Sequence, residues 1–485
     1  MKKRLLAWLF VVAAAACPGH AQSAAEVERM VGQVAREEGM EHGTLAVCIY
    51  NAATGRAVYK YNAETSVRPA SVAKLFTTGA GFARLGADFR FTTRVAVRGQ
   101  LDRDGVLHGD VYLIGGGDPM LGSYRYRQTQ PDSLFASWKQ ALHNKGIRRV
   151  YGRVCYNASV FDEAALHDSW QWGDVGNYYA SGVSGLNFHE NMYFVYFTPG
   201  NRVGQAASVA RLQPKNLDIY GICEVGTAAA GTGDNVVIYG SPLSKERLYT
   251  GTVPMGKAEF AVRGAMPSPE KCCADLFSTY LRTHGISVSS TSMRVAAEPD
   301  SLKPVLDYHS SPYYTIAQYT NLTSNNLYAE SIFKYMGYKA YGKGSFENGS
   351  KAVLQYFSDL GLTAKGTRVV DGSGLSRLNH TTADFLCRYM VALRKEPFYD
   401  KFLQTFPKAG ESGTARRLLP SLPKGVDVYV KTGSMDGVKS YAGYVITPAG
   451  ETYAFAIVSN DYECTERVVA EKLNRILQKV ALLHS

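Results

Sequence analysis

Two stretches of helical periodicity are separated by roughly 200 residues whose apolar pattern is that of short strands, and this interruption most constrains the fold. The first stretch follows a predicted hairpin, with Thr44 to Tyr50 β-rich, turn residues from Asn51 to Gly55, and alternation from Arg56 to Tyr61. Pro69 and Ala70 then lead into Ser71, after which Val72, Leu75, Phe76, Phe82 and Leu85 recur at helical spacing until Gly86. From Phe91 to Val295 the runs become short and are punctuated by Gly, Asp and Pro, as in Phe91 to Val97, Val111 to Ile114 and Asn235 to Tyr239; helical periodicity is limited to Pro131 to Asn144 and Glu270 to His284. After Pro299 helices return, at Pro312 to Thr320 and Asn325 to Tyr341. Strands are expected at Val426 to Val430, Tyr441 to Ile446 and Thr452 to Val458, then an amphipathic helix from Thr465 to Leu483. The pattern predicts an α/β layered domain made of residues 22–90 and 300–485, interrupted at 91–299 by a mostly β insertion of one or two domains.

Met1, Lys2, Lys3 and Arg4 precede an apolar run from Leu5 to Ala16 that is too short to span a bilayer, so residues 1–21 read as a signal peptide with cleavage after Ala21. Ala14, Ala15 and Ala16 before Cys17 form a poor lipoprotein site, which makes a lipid anchor the lesser expectation. Export to the periplasm or cell envelope without a stable transmembrane anchor is the reading. The formal charge of +11, less the three positive charges of Lys2, Lys3 and Arg4, leaves +8. The basic residues are scattered and no nucleic-acid motif is present, so the charge favours anionic envelope polymers over nucleic acid. Seven cysteines follow Cys17, too sparse for a disulfide scaffold, and no Cys/His grouping has metal-ligand spacing. Neither a metal nor another cofactor is expected.

Chemistry enters with Ser71-x-x-Lys74. Residues i and i+3 share a helix face, so the Lys74 amine can approach the Ser71 hydroxyl, and a lysine acts as a base once burial and nearby positive charge favour its neutral form. The spacing alone is weak, because it occurs at four places. Ser268 with Lys271 and Ser421 with Lys424 are broken by prolines, and Ser331 with Lys334 reads as the solvated face of a helix. Only Ser71 stands at a helix start among apolar neighbours, where backbone N–H groups support an anionic oxygen.

Two further elements follow in order. Ser324-Asn325-Asn326 supplies a hydroxyl and an amide two positions apart, and Lys431-Thr432-Gly433-Ser434 ends a predicted strand. Serine-lysine, serine-asparagine and lysine-threonine-glycine motifs in this order are those of β-lactamases and penicillin-binding proteins. The chain resembles the low-molecular-mass class C penicillin-binding proteins, the D-alanyl-D-alanine carboxypeptidase/endopeptidases, over nearly its whole mature length. The segment of about 250 residues between Ser71 and Ser324 agrees with that family's inserted domains, as do Gly116-Gly117-Asp118-Pro119 and the phrase from Asp371 to Arg377.

The resemblance implies a transpeptidase-like domain, an antiparallel sheet flanked by helices, acting on peptidoglycan stem peptides, with β-lactams as covalent inhibitors. It assigns Ser71 the attack on the penultimate D-alanine carbonyl and Lys74 the role of base. Ser324 relays a proton to the leaving amine, Asn326 holds Lys74 or the substrate amide, and Lys431 supplies positive charge. Thr432, Gly433 and Ser434 bind substrate, and the N–H groups of Ser71 and Ser434 form an oxyanion hole worth about 3 kcal/mol per donor in the transition state. In the insertion, Asp174 and Tyr179 match the acidic and aromatic residues that meet the amino end of the stem's third residue, and Asp436 is a further candidate there.

Three other readings compete. A Ser-His-Asp hydrolase needs a nucleophile elbow, which Gly182 to Gly185 and Gly372 to Gly374 both miss; His189, His309 and His380 read as surface or capping residues. A β-lactamase of class A needs a Glu-x-x-Leu-Asn element between the first two motifs, and none is found. A non-catalytic binder would not need the full set of Ser, Lys, Ser, Asn and Lys. Carboxypeptidase and endopeptidase action share one acyl-enzyme, so the motifs leave their balance open.

Overall fold

The computed structural model describes residues 18–215 and 217–483. Most of the expected signal peptide therefore lies outside the described residues. No helix among the described residues is long and apolar enough to cross a membrane.

The two ends of the chain build one sheet. Its five antiparallel strands run in the order Asp427–Met435, Val438–Ile446, Thr452–Asn460, Thr44–Asn51 and Arg56–Tyr61, so an N-terminal hairpin docks on a C-terminal meander. The seam pairs Thr44 with Asn460 and Asn51 with Tyr453. The alternation of a strand divides the neighbours of Thr44–Asn51 between two cores. Leu45, Val47 and Ile49 join the core beneath helices Pro18–Val34 and Glu466–Ala481, while Ala46, Cys48 and Tyr50 join the larger core containing helices Lys74–Leu85 and Ala383–Leu393. The C-terminal helix starts where Thr465 caps the Val468 N–H, and Val469, Leu473, Ile476, Leu477 and Val480 line its buried stripe. Each of those side chains contributes about 2 kcal/mol relative to exposure.

Residues 92–309 build three further sheets. One comprises Thr92–Leu101, Val106–Ile114, Arg149–Val150, Val154–Asn157, Met293–Arg294 and Lys303–His309, and packs on helices Pro131–Asn144 and Pro269–Thr283 through Trp138, Phe135 and Phe277. The other two are a three-stranded sheet at Met192–Thr198, Ser208–Gln213 and Phe260–Ala265, and a four-stranded sheet within 220–254. Strand Lys303–His309 pairs antiparallel with Thr92–Leu101, so the interrupting layer continues past residue 300, and the helical segment resumes at Tyr313. Composition changes at Pro299, but backbone pairing, which composition does not report, carries the chain one strand further.

The motif-bearing elements converge at one edge of the five-stranded sheet. Helix Lys74–Leu85 is buried along its first nine residues and is crossed closely by tyrosines. A Cβ at Gly81 would lie 2.0 Å from the Tyr313 hydroxyl, which donates to Thr78 O at 2.7 Å.

Candidate active site

Ser71 sits in a 3₁₀ turn, Ala70–Ala73, that runs directly into helix Lys74–Leu85. Ala70 enters that turn with φ 45°, a left-handed conformation that costs a non-glycine residue about 1 kcal/mol or more. Two contacts hold it. Ser440 Oγ donates to Pro69 O at 2.6 Å, and Gly374 approaches so closely that a Cβ there would lie 2.0 Å from Ala70 O.

The Lys74 side chain is fully buried. Its Nζ lies 2.9 Å from Ser71 Oγ, 2.6 Å from Asn326 Oδ1 and 2.7 Å from Ser373 O. All three acceptors are neutral. Burial depresses the amine to about 7, against the pull of the Glu330 and Asp371 carboxylates, which favour the ammonium. Near neutral pH Lys74 is therefore poised to lose or regain a proton.

Ser324 and Asn326 flank a break between two helices. Helix Tyr313–Thr323 ends at Ser324 in the left-handed region (φ 58°), and Asn325 caps the next helix, Asn326–Tyr341, by accepting from Tyr328 N at 3.1 Å. The break turns Ser324 Oγ toward Lys431 Nζ (2.9 Å) and Asn326 Oδ1 toward Lys74, with Asn326 Nδ2 donating to Tyr179 O at 2.7 Å. The Lys431 amine also donates to Thr432 O at 2.7 Å. It is fully buried, and burial first and the Lys74 charge second push its pKa well down. The serine and asparagine of this motif thus each hold one of two lysines.

Lys431, Thr432, Gly433 and Ser434 lie inside strand Asp427–Met435 and not at its end, because the strand pairs with Val438–Ile446 out to Met435. This places the motif alongside the serine turn. A Cβ at Gly433 would lie 2.3 Å from Ser440 Oγ, 2.8 Å from Pro69 O and 3.0 Å from Ser71 N, so only glycine lets the strand pass this close. Thr432 Oγ1 donates to Thr414 Oγ1 at 2.8 Å, and Ser434 Oγ accepts from Lys439 Nζ at 2.7 Å.

Ser71, Ser324, Asn326 and Ser434 line one cleft of about 740 Å³ together with Asp174, Tyr179 and Asp436, while Lys74 and Lys431 are buried and do not line it. Tyr179 OH donates to Asp174 Oδ1 at 3.0 Å. Asp436 accepts from Arg377 at 3.3 Å and is otherwise exposed.

Three features depart from or escape the sequence reading. Lys334 is no solvated lysine: it is completely buried, bonded to Asp162 Oδ1 at 2.7 Å and Ala164 O at 2.6 Å. His189 is buried too, with Nδ1 2.9 Å from Met192 O. Glu330 and Asp371 have no assigned role in the sequence, yet both organise the loop that holds Lys74. Glu330, its pKa pushed up by burial and by Asp371, accepts from Gly372 N and Ser373 N at 2.8 Å each. Asp371 accepts from Gly374 N and Ser376 N, and from the Trp170 indole at 2.9 Å. The available signal was Glu330 lying three positions from Leu327 and Phe333, on the apolar side of its helix.

The architecture is that of a penicillin-binding protein: it superposes on penicillin binding protein 4 (dacB) from Haemophilus influenzae with a TM-score of 0.77 at 22% identity, covering 94% of this chain and 98% of that one. The sequence is 29% identical to the D-alanyl-D-alanine carboxypeptidase of Actinomadura sp. (strain R39) over 90% of this chain and 81% of that protein, and 25% identical to D-alanyl-D-alanine carboxypeptidase DacB of H. influenzae over 88% and 86%. Residues 27–480 match the model of the D-Ala-D-Ala carboxypeptidase 3 (S13) family, and the chain belongs to that family. It is a serine-type D-Ala-D-Ala carboxypeptidase.

Proposed function

We propose that Ser71 is the nucleophile that cleaves the terminal D-Ala-D-Ala bond of exported peptidoglycan stem peptides, with Lys74 as its base. The observation that carries this reading is the 2.9 Å contact between Ser71 Oγ and a lysine amine that is buried, bonded to neutral acceptors and depressed to about 7.

Neutral Lys74 takes the Ser71 proton as Oγ attacks the penultimate D-alanine carbonyl. The oxyanion is received by the N–H groups of Ser71 and Ser434, supported by the close passage that Gly433 permits. Ser324 Oγ, bonded to Lys431, hands its proton to the leaving amine and is reprotonated from the Lys74 ammonium, which returns Lys74 to its neutral form, and water then releases the acyl-enzyme. The two lysines act on each other. A substrate carboxylate near Lys431 and Thr432 favours the Lys431 ammonium, and that charge drives the proton from Lys74, so substrate binding itself prepares the base. Asn326 holds Lys74 through Oδ1 while Nδ2 ties it to the Tyr179 backbone. Asp174, with Tyr179, receives the amino end of the third stem residue. A β-lactam opens on Ser71 by the same attack and leaves slowly.

Residues 22–90 and 310–485 act as the catalytic unit and the intervening segment as the substrate-recognising one. The basic N-terminus and apolar run to Ala16 support export to the periplasm or envelope. When the leaving amine belongs to a neighbouring crosslinked stem, the same acyl-enzyme makes the protein a DD-endopeptidase. Digestion of purified peptidoglycan by wild type and Ser71→Ala, with muropeptides separated by mass, tests the reading. Wild type is expected to remove terminal D-alanine, and loss of crosslinked dimers adds endopeptidase action. No difference between wild type and Ser71→Ala would overturn it.

A further inference from the structure

One wall of the cleft carries cationic groups that the mechanism above does not use. The Arg125 guanidinium lies 4.9 Å from the Tyr124 ring centroid and 5.0 Å from that of Tyr319, and Arg263 lies 3.7 Å over the ring of Tyr178. Tyr178 packs edge-on against Tyr179, 5.6 Å between centroids. Arg125, Arg263, Tyr178 and Tyr319 all border the cleft that holds Ser71. Stacking on tyrosine fixes the plane of a guanidinium and leaves its in-plane N–H groups free to donate, which suits a carboxylate.

Arg125 is anchored further. Its Nε lies 2.8 and 3.1 Å from the two oxygens of Glu190, a buried carboxylate that also accepts from Ser123 Oγ at 2.7 Å and Tyr328 OH at 3.2 Å. Among the described residues nothing accepts from the two terminal nitrogens of Arg125, and its side chain keeps 29% of its exposure. Glu190 is held there against backbone preference. His189, Glu190 and Asn191 have φ of 56°, 54° and 49°, three successive left-handed non-glycine residues that persist only where the surroundings impose them. Arg263 has no carboxylate within ion-pairing distance among the described residues; Asp234 and the Tyr124 hydroxyl are the groups that feel its charge.

We propose that Arg125 and Arg263 form a subsite for a carboxylate of the stem peptide remote from the scissile bond, so that the enzyme prefers stems in which that group is free over stems in which it is amidated. The inference rests on the reading of this cleft as a stem-peptide site. Asp174 and Asp436, on the same cleft, offer negative charge to an ammonium, so the cleft matches a ligand that carries both signs. Glu190 acts through Arg125 as a positioning residue.

The test uses two synthetic stem peptides ending in D-Ala-D-Ala, identical except for a free carboxylate or a carboxamide on the residue before the diamino acid. D-alanine release gives kcat/KM for each. Wild type is expected to favour the carboxylate peptide by about tenfold or more, with Arg125→Gln and Arg263→Gln each reducing that ratio to about threefold or less, mainly through KM. Glu190→Gln should give an intermediate ratio. One equivalent of penicillin adduct on each variant reports a folded centre, and the wild-type ratio needs no variant at all. A wild-type ratio near one, or variants that keep the wild-type ratio, would overturn the subsite while leaving the catalytic reading intact. Release of D-alanine from neither peptide by wild type would instead overturn the catalytic reading and the subsite with it.

Discussion

Ser71 with Lys74 and Ser331 with Lys334 share one spacing, a helical context and complete burial of the lysine, and differ in what the amine touches. Lys334 donates to the Asp162 carboxylate and to Ala164 O, and lies 4.4 Å from the Phe346 ring centroid. Ser331 Oγ accepts from Asn187 Nδ2 at 3.2 Å. Lys74 meets only neutral acceptors, and the nearest carboxylates in its electrostatics, Glu330 and Asp371, are occupied by backbone N–H groups. Burial lowers the pKa of both amines, but at Lys334 the Asp162 carboxylate in direct contact pulls back toward the ammonium, whereas among the neutral oxygens around Lys74 burial leaves the proton mobile near neutral pH. Spacing brings a lysine to a serine; the identity of the acceptors decides whether it can be a base.

The largest expected contrast is between the two serines. Ser71→Ala should lower D-alanine release by about 10⁴-fold or more, while Ser331→Ala leaves kcat/KM within a few-fold. The lysines come next and should separate activity from stability. Lys74→Met is expected to slow acylation about 10³-fold with the melting profile nearly kept, because a buried amine is replaced by a group that needs no proton. Lys334→Met should keep acylation but cost about 2 kcal/mol in denaturant unfolding, a value tempered by the partial exposure of the stranded Asp162. Equal loss of acylation in both lysine variants would break the comparison.

Gly433→Ala tests the approach of the strand to Ser71. The added methyl collides with Pro69 O and Ser440 Oγ, and acylation by a D-Ala-D-Ala peptide should fall about 10²-fold with the fold retained by circular dichroism. The smallest effect is in pH. The base works unprotonated, so the acylation rate should rise through about pH 7 and lose tenfold per unit well below it. A profile flat from pH 5 to 8 would remove Lys74 from the base role.

Much of this arrangement is local and therefore readable in the chain. Pro69 before Ser71, the gap between the helices expected at Pro312 to Thr320 and Asn325 to Tyr341, and the motif from Lys431 to Ser434 are local features; the left-handed turn at Ser324 comes from the structure. The α/β layers follow from periodicity, and the structure carries them. The environment of each lysine is not local. Asp162 reaches Lys334 from 172 positions away, and Ser373 reaches Lys74 from 299, so identical spacings look equivalent until those loops are folded onto them. The same holds for Glu330, which looks like an ordinary helix residue until its helix packs beneath the Gly372 and Ser373 amides. Arg125 and Glu190, 65 positions apart, carry no shared motif.

The most direct test of the central claim is where penicillin forms its covalent bond. Wild-type protein exposed to excess penicillin, digested and mapped by mass spectrometry, should carry one equivalent on the peptide containing Ser71, with no adduct in Ser71→Ala and full labelling in Ser331→Ala. An adduct on the Ser331 peptide, or labelling that survives Ser71→Ala, would contradict the account.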